Sequence, residues 1–295
     1  MEQKEGLTQT CRLLGVNRQV YYRSIKETKH KQQIAAQVVV MVEQVRMKMP
    51  RIGTRKLYHL LYDRLQEIGV GRDRLFAIMK ANHLQIVPKR QYHITTNSHH
   101  RFRKHKNMID SLCIKRPEQV WVSDITYIGT RANPMYLSLV TDAYSKKIMG
   151  YNVSTSLNAS GAVSALKRAI ANRSYDQRQL IHHSDRGLQY CCDDYQQLLS
   201  QHKITCSMTE SYDPYQNAVA ERVNGILKQE FILGITTSDL ELMKKLMEQT
   251  IYIYNNDRPH WSCWMNTPAF MHQQSRIKIK NYKNKNSIEQ VSDAT

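Results

Sequence analysis

Three carboxylates are the residues of this chain best suited to do chemistry. Asp124 lies in WVSDITYI, Asp185 in LIHHSDRGLQY and Glu221 in DPYQNAVAERVNGILKQE, each where a backbone element should begin, end or present a face. Acidic side chains brought together from separate elements supply hard oxygen ligands for Mg²⁺, and such ions activate and stabilise the reacting oxygens of a phosphodiester. With 25 acidic residues in the chain, spacing alone decides little, so the elements that carry the three must be read.

Period-two alternation puts Val122, Asp124 and Thr126 on one face of a strand. A carboxylate there, among apolar neighbours, is costly unless it is paired or holds a cation. Asp185 closes the apolar run LIHHS at the C-terminal end of a strand, where open α/β sheets place ligand groups. Glu221 belongs to a helix on which Asn217, Glu221, Asn224 and Lys228 share one face, opposite Val219, Val223, Ile226 and Phe231. The polar stripe is expected to lean over the sheet, with Asn217 and Lys228 toward bound DNA.

The surrounding pattern fits such a sheet. VWVSDITYI, PMYLSLVTDAYS and KKIMGYNV read as an antiparallel meander, followed by a helix over Asn158 to Asn172, the strand LIHHS, a helix over Asp194 to Gln201 and the strand KITCSM. Two long helices are expected from about Tyr215 to Leu233 and from Ser238 to Asn255. This order is that of an α/β, ribonuclease-H-like core with a mixed five-stranded sheet. DRPHWSCWMNTPAF reads as an ordered irregular segment and RIKIKNYKNKNSIEQ as a basic tail.

Charge divides the chain differently. Of the net +18, the stretch from Met1 to Arg116 holds +16, with 24 Lys and Arg against 8 Asp and Glu, and the rest holds +2. That asymmetry suits a nucleic-acid-binding part joined to a part with another task. Leu7 to Ile25 reads as a helix-turn-helix with Leu13, Leu14, Val16 and Val20 inside and Arg18, Gln19 and Arg23 facing a groove or phosphates. A separate helix is expected from Lys31 to Met49. A second helix-turn-helix-like unit follows, with Arg72 and Arg74 at the start of its last helix, where the dipole disfavours cations and a polyanion would favour them. Lys89 to Lys106 holds six Lys or Arg, four His and no acid, and is expected to lay Lys89, Arg90, Arg101, Arg103 and Lys104 along a phosphate backbone. The six cysteines form no CxxC pair, no apolar run is long enough to span a bilayer, and the N-terminus lacks a signal-peptide stretch. A cytoplasmic protein without a membrane partner is expected.

The segments LGVNRQVYYR, PRIGTRKLYHLL, GVGRDRLFAIMK, WVSDITYI, HSDRGLQY, QNAVAERVNGILKQE and YNNDRPH with TPAF resemble, over nearly the whole chain, the OrfB-type insertion-sequence transposases of the DDE integrase-core superfamily. Asp185 and Glu221 enclose 35 residues, and Lys228 follows Glu221 by seven, both as in that family. The resemblance implies that Asp124, Asp185 and Glu221 are the catalytic residues and metal ligands for two Mg²⁺ ions, replaceable by Mn²⁺, with Asp124 bridging. It also implies cleavage at terminal inverted repeats of double-stranded DNA and strand transfer by the freed 3′-OH, by a homo-oligomer at bacterial nucleoid DNA, with an upstream-frame OrfA-type partner or fusion. Gln216, where the family often has Asp, and the WSCW segment depart from the pattern. The expected division is 1–30 and 31–88 for the helical DNA-binding parts, 89–117 for a basic linker, 118–275 for the core and 276–295 for the tail. A transposase-derived regulator without catalysis and a ribonuclease-H-type nuclease are the alternatives.

Overall fold

The computed structural model describes residues 2–87, 105–109, 112–130, 132–209, 217–232, 235 and 237–274. The chain forms two compact units, Met1–Val87 and Pro88–Thr295.

The first unit is all helical: α1 (Glu2–Leu13), α2 (Arg18–Lys48), α3 (Thr54–Leu60), α4 (Tyr62–Glu67) and α5 (Arg72–Ala81). Asn17 caps α2, its side-chain oxygen accepting from Gln19 N at 2.9 Å. Ile34, Val38 and Val42 form the buried stripe of α2. With Leu57, Leu65, Leu75 and Met79 also buried, the interior of this unit is almost wholly aliphatic.

Two expectations are corrected here. The chain does not break between residues 25 and 31: α2 runs unbroken for 31 residues, so a boundary at 30/31 would cut a helix. Ser24 to Gln33 contains neither Gly nor Pro, and nothing stops the helix from propagating. The expected core of the first helix-turn-helix also lies outside, with Leu13 87% and Leu14 71% exposed and Val16 and Val20 exposed as well. Among the described side chains of α1 only Cys11 is buried.

The second unit is built on β1 (Val120–Gly129), β2 (Pro134–Asp142), β3 (Ile148–Ser154), β4 (Leu180–Ser184) and β5 (Ile204–Met208), in the order β3-β2-β1-β4-β5. The first three strands pair antiparallel, and β1/β4 and β4/β5 pair parallel. This is the expected ribonuclease-H-like sheet. Helices α6 (Ala159–Ala171), α7 (Leu188–Cys191), α8 (Asp193–Gln201), α9 (Ala218–Ile226), α10 (Leu240–Asn256) and α11 (Pro268–Gln273) complete the unit.

Alternation along β1 sorts the core into two layers. Trp121 packs in the cluster that includes Leu166 of α6 and Tyr195 and Leu199 of α8, whereas Val120 and Val122 pack with Ala220 of α9. On the first side β3 and α6 approach closely at Gly150, where a Cβ would overlap the Ala165 carbonyl oxygen and come within 2.5 Å of Ala169 N. At the sheet edge Asn255 serves as a partner for β3: Ile148 N donates to its Oδ1 at 2.9 Å and its Nδ2 donates to Ile148 O at 3.0 Å.

The irregular segment after α10 is tied down by polar side chains. Arg258, 1% exposed, bonds both oxygens of Glu230, at 2.8 and 2.7 Å. His272 of α11 lies between Ser145 Oγ at 3.0 Å and Glu118 Oε1 at 3.2 Å.

Candidate active site

The parallel pairing of β1 with β4 places the first two carboxylates. Val120 pairs with Ile181 and Val122 with His183, an offset of 61 residues, and the same offset relates Asp124 to Asp185 one pleat beyond the last pair. Register-matched residues on adjacent parallel strands project to the same face, here the face that α9 covers through Ala220. Asp185 stands just past the end of β4, and Gly187 N donates to its Oδ1 at 3.1 Å.

Asp124 is half-buried and fixed at both oxygens. Its Oδ1 accepts from Ile125 N at 2.9 Å and its Oδ2 from Asn224 Nδ2 at 2.7 Å. Burial, then the charges of Asp185 and Glu221, push its carboxyl up to about 7 against the hydrogen bonds from Asn224 and Ile125. The charges of Asp185 and Glu221 thus both bear on Asp124. Glu221 is exposed on α9, and desolvation by the surrounding protein raises its carboxyl too. Among the described residues, no three His, Cys, Asp or Glu side chains are closed into a metal cage.

The polar stripe on α9 leans over the sheet, as helical spacing predicts, and its amides are bonded to β1. Asn217 and Asn224 are buried and turn inward, Asn217 Nδ2 donating to Ser123 O at 3.1 Å, so both amides fasten α9 to β1 and Asn217 does not present a DNA-facing side chain. After Ile226 the helix widens into a π-helical turn over Leu227–Ile232. Lys228 sits in that turn, half-buried; burial lowers its ammonium while the Asp124 charge raises it. It faces the carboxylate site electrostatically, in keeping with the helix face that spacing gives it together with Glu221.

Beneath the site is a brace that the sequence reading missed. His182 Nε2 lies 2.7 Å from Ser123 Oγ and 2.8 Å from Tyr195 OH. Burial, with a smaller effect of His183, pushes this imidazole down to about 3, so it is neutral at physiological pH. It therefore ties β1, β4 and α8 together next to Asp124 without adding charge. The paired histidines of LIHHS were the available signal, but only the register assigns one to each face.

Of the residues expected to contact DNA, Arg18, Gln19 and Arg23 are exposed along α2. Arg72 and Arg74 are exposed too, yet each has a local partner: Arg72 Nε pairs with Asp73 at 2.9 Å and an Arg74 guanidinium nitrogen donates to Gly69 O at 3.3 Å. Lys89, Arg90, Arg101, Arg103 and Lys104 lie outside the described residues. No described helix is long and apolar enough to cross a membrane.

Comparison with known proteins agrees with this geometry. Two family models, each described as an integrase core domain, match residues 114–214 and 202–268. The 31 kDa protein of insertion element IS600 from Shigella sonnei is 32% identical over 257 residues, covering 85% of this chain and 92% of that one. Transposase InsF of insertion sequence IS3A from Escherichia coli K12 is 36% identical over 148 residues, covering 50% of this chain and 51% of that one. Among solved structures, the HTLV-2 integrase catalytic core domain in complex with magnesium gives a TM-score of 0.43 at 17% identity, covering 54% of this chain and 98% of that one. The chain belongs to the insertion-sequence transposases of the integrase-core superfamily, and is thereby a DDE polynucleotidyl transferase.

Proposed function

We propose that Asp124, Asp185 and Glu221 are the catalytic carboxylates of this transposase and that it cleaves double-stranded DNA at the terminal repeats of its element and joins the freed ends to target DNA. The observation that carries this reading is the convergence of burial and of two acidic charges, those of Asp185 and Glu221, on the register-matched Asp124, whose carboxyl is driven up to about 7. A half-buried carboxylate that two others repel favours a cation, and an all-oxygen donor set suits Mg²⁺, or Mn²⁺ in its place. Asp124, Asp185 and Glu221 are the residues that would hold such ions. When bound, the ions supply activation of the attacking oxygen and stabilisation of the leaving one.

In the first step a water oxygen bonds to the phosphorus at the repeat end and the P–O3′ bond breaks, leaving a 3′-OH and a 5′-phosphate. In the second, that 3′-oxygen bonds to a target phosphorus and the target strand's own 3′-oxygen leaves, taking up a proton. One P–O bond forms for each that breaks, so no nucleotide cofactor is required. The His182 brace keeps β1 and β4 aligned beneath the carboxylates, while Asn217 and Asn224 hold α9 over them.

In the same reading the helical unit Met1–Val87 and the basic linker 89–117 hold DNA through Arg18, Gln19, Arg23, Arg72, Arg74, Lys89, Arg90, Arg101, Arg103 and Lys104. The core spans 118–275 and the tail 276–295, and Lys228 contacts phosphate beside the cleaved bond. A homo-oligomer brings two ends together at nucleoid DNA, with an upstream-frame OrfA-type partner or fusion completing the machinery.

The test uses labelled repeat-end duplexes with Mg²⁺ or with EDTA. Asp124→Asn should abolish cleavage and joining yet keep repeat-end affinity within a few fold. A mutant that still joins ends rules out this assignment. Cleavage without joining by the wild type would indicate a plain nuclease, and loss of neither activity on deleting residues 1–116 would overturn the division of labour.

A further inference from the structure

We propose that Asn224 is a positioning residue for the Asp124 carboxylate, fixing which of its lone pairs stay available to a divalent cation; this rests on the metal-dependent reading above. Asn224 is 4% exposed and donates from Nδ2 to Asp124 Oδ2 at 2.7 Å, while Ile125 N holds the other carboxylate oxygen at 2.9 Å. With a donor on each oxygen, the carboxylate plane cannot turn without losing a hydrogen bond. The orientation of the amide is compelled as well. Turned over, its carbonyl oxygen would face the carboxylate with no proton between two acceptors.

The other end of the same amide points to a ligand. Asn224 Oδ1 is buried and has no hydrogen-bond partner among the described residues. Leaving such a group unpaired is costly; Asn255 has both ends satisfied on Ile148, whereas Asn217 Oδ1, on the same face of α9, is unpartnered like Asn224 Oδ1, and of these two amides it is that of Asn224 that touches the Asp124 carboxylate. A water in the coordination shell of an ion on Asp124 could donate to Oδ1. Asn224 would then hold the carboxylate with its nitrogen and a ligated water with its oxygen, as outer-shell groups do in metal sites.

Substitutions that remove the amide separate this role from packing. In a Mn²⁺ titration of the DNA-free full chain, followed by electron paramagnetic resonance, Asn224→Ala and the volume-conserving Asn224→Leu should both bind about 10–100-fold more weakly than wild type. Their melting temperatures in EDTA should stay close to that of wild type. End joining by both should recover as Mg²⁺ is raised, the defect lying in the metal requirement and not in the saturated rate. Wild-type Mn²⁺ affinity in either variant, or unfolding of both in EDTA, would show Asn224 to be a packing residue and overturn the proposal. If the wild type binds no Mn²⁺, or Asp124→Asn binds it as tightly as wild type, the metal reading of the carboxylates falls instead.

Discussion

The two units solve the same packing problem with different chemistry. The helical unit is filled by Ile34, Val38, Val42, Leu57, Leu65, Leu75 and Met79, and of its described polar side chains only that of Thr54 is buried. The sheet unit buries Glu118, Asp142, His182, His183, Arg258 and His272. Burial alone would raise the Glu118 carboxyl, yet hydrogen bonds from His272, Ser174 N and Tyr175 N leave it lowered, so these groups are paired and not merely enclosed. An aliphatic interior tolerates small shifts, because dispersion is not directional. Polar contacts fix distance and angle, and they are concentrated in the unit that carries Asp124, Asp185 and Glu221.

That contrast predicts how each unit should fail. The largest effect is expected for Gly150→Ala: with no room between β3 and α6, the sheet unit should lose more than about 4 kcal/mol. Calorimetry should show its transition lost while that of the helical unit stays in place. Arg258→Ala strands the mostly buried Glu230 carboxylate and should cost about 3–5 kcal/mol; a loss below about 1 kcal/mol in urea unfolding would show that the polar stitching is dispensable. Leu65→Ala, in the aliphatic interior, should cost about 2–5 kcal/mol and lower only the helical unit's transition.

Asp124→Asn should have the opposite sign. A carboxyl raised to about 7 favours the folded state while protonated, and that stabilisation is lost as pH rises from about 4 to about 7. In EDTA at pH 8 the mutant should therefore be more stable than wild type, by up to about 4 kcal/mol, with no difference near pH 4. Equal melting temperatures at both pH values would contradict the electrostatic picture of the site. The smallest effect is expected for Arg72→Ala. Its exposed pair with Asp73 should change stability by less than about 1 kcal/mol, while the slope of log affinity for DNA against log salt should fall by about 1.

The sheet was legible in the sequence because its signals are local. Alternation in VWVSDITYI placed Asp124 on the correct face, and the end of LIHHS placed Asp185. What escaped depends on contacts between distant segments or on a missing stop. Glu118 meets His272 across 154 positions, and neither residue carries a local mark of it. The partners of Asn217 and Asn224 escaped because helical spacing turns both amides toward the sheet without saying which carbonyl and which carboxylate receive them. The π-helical turn at Leu227 adds no distinctive composition, yet it shifts the phase of every later side chain, Lys228 included. The continuity of α2 differs from the separate helix expected from Lys31, because nothing between residues 25 and 31 ends a helix.

The amide of Asn255 on β3 bears on a property outside catalysis. β3 is the outermost strand of the sheet, and an open rim of this kind is a template onto which another chain can add a strand and start an aggregate. Asn255 occupies both backbone groups of Ile148, the Asn172 amide takes the Met149 carbonyl and an Arg168 guanidinium nitrogen takes that of Tyr151. Three side chains thereby occupy backbone groups along the first part of this rim without a sixth strand, leaving fewer of them for another chain to pair with at β3.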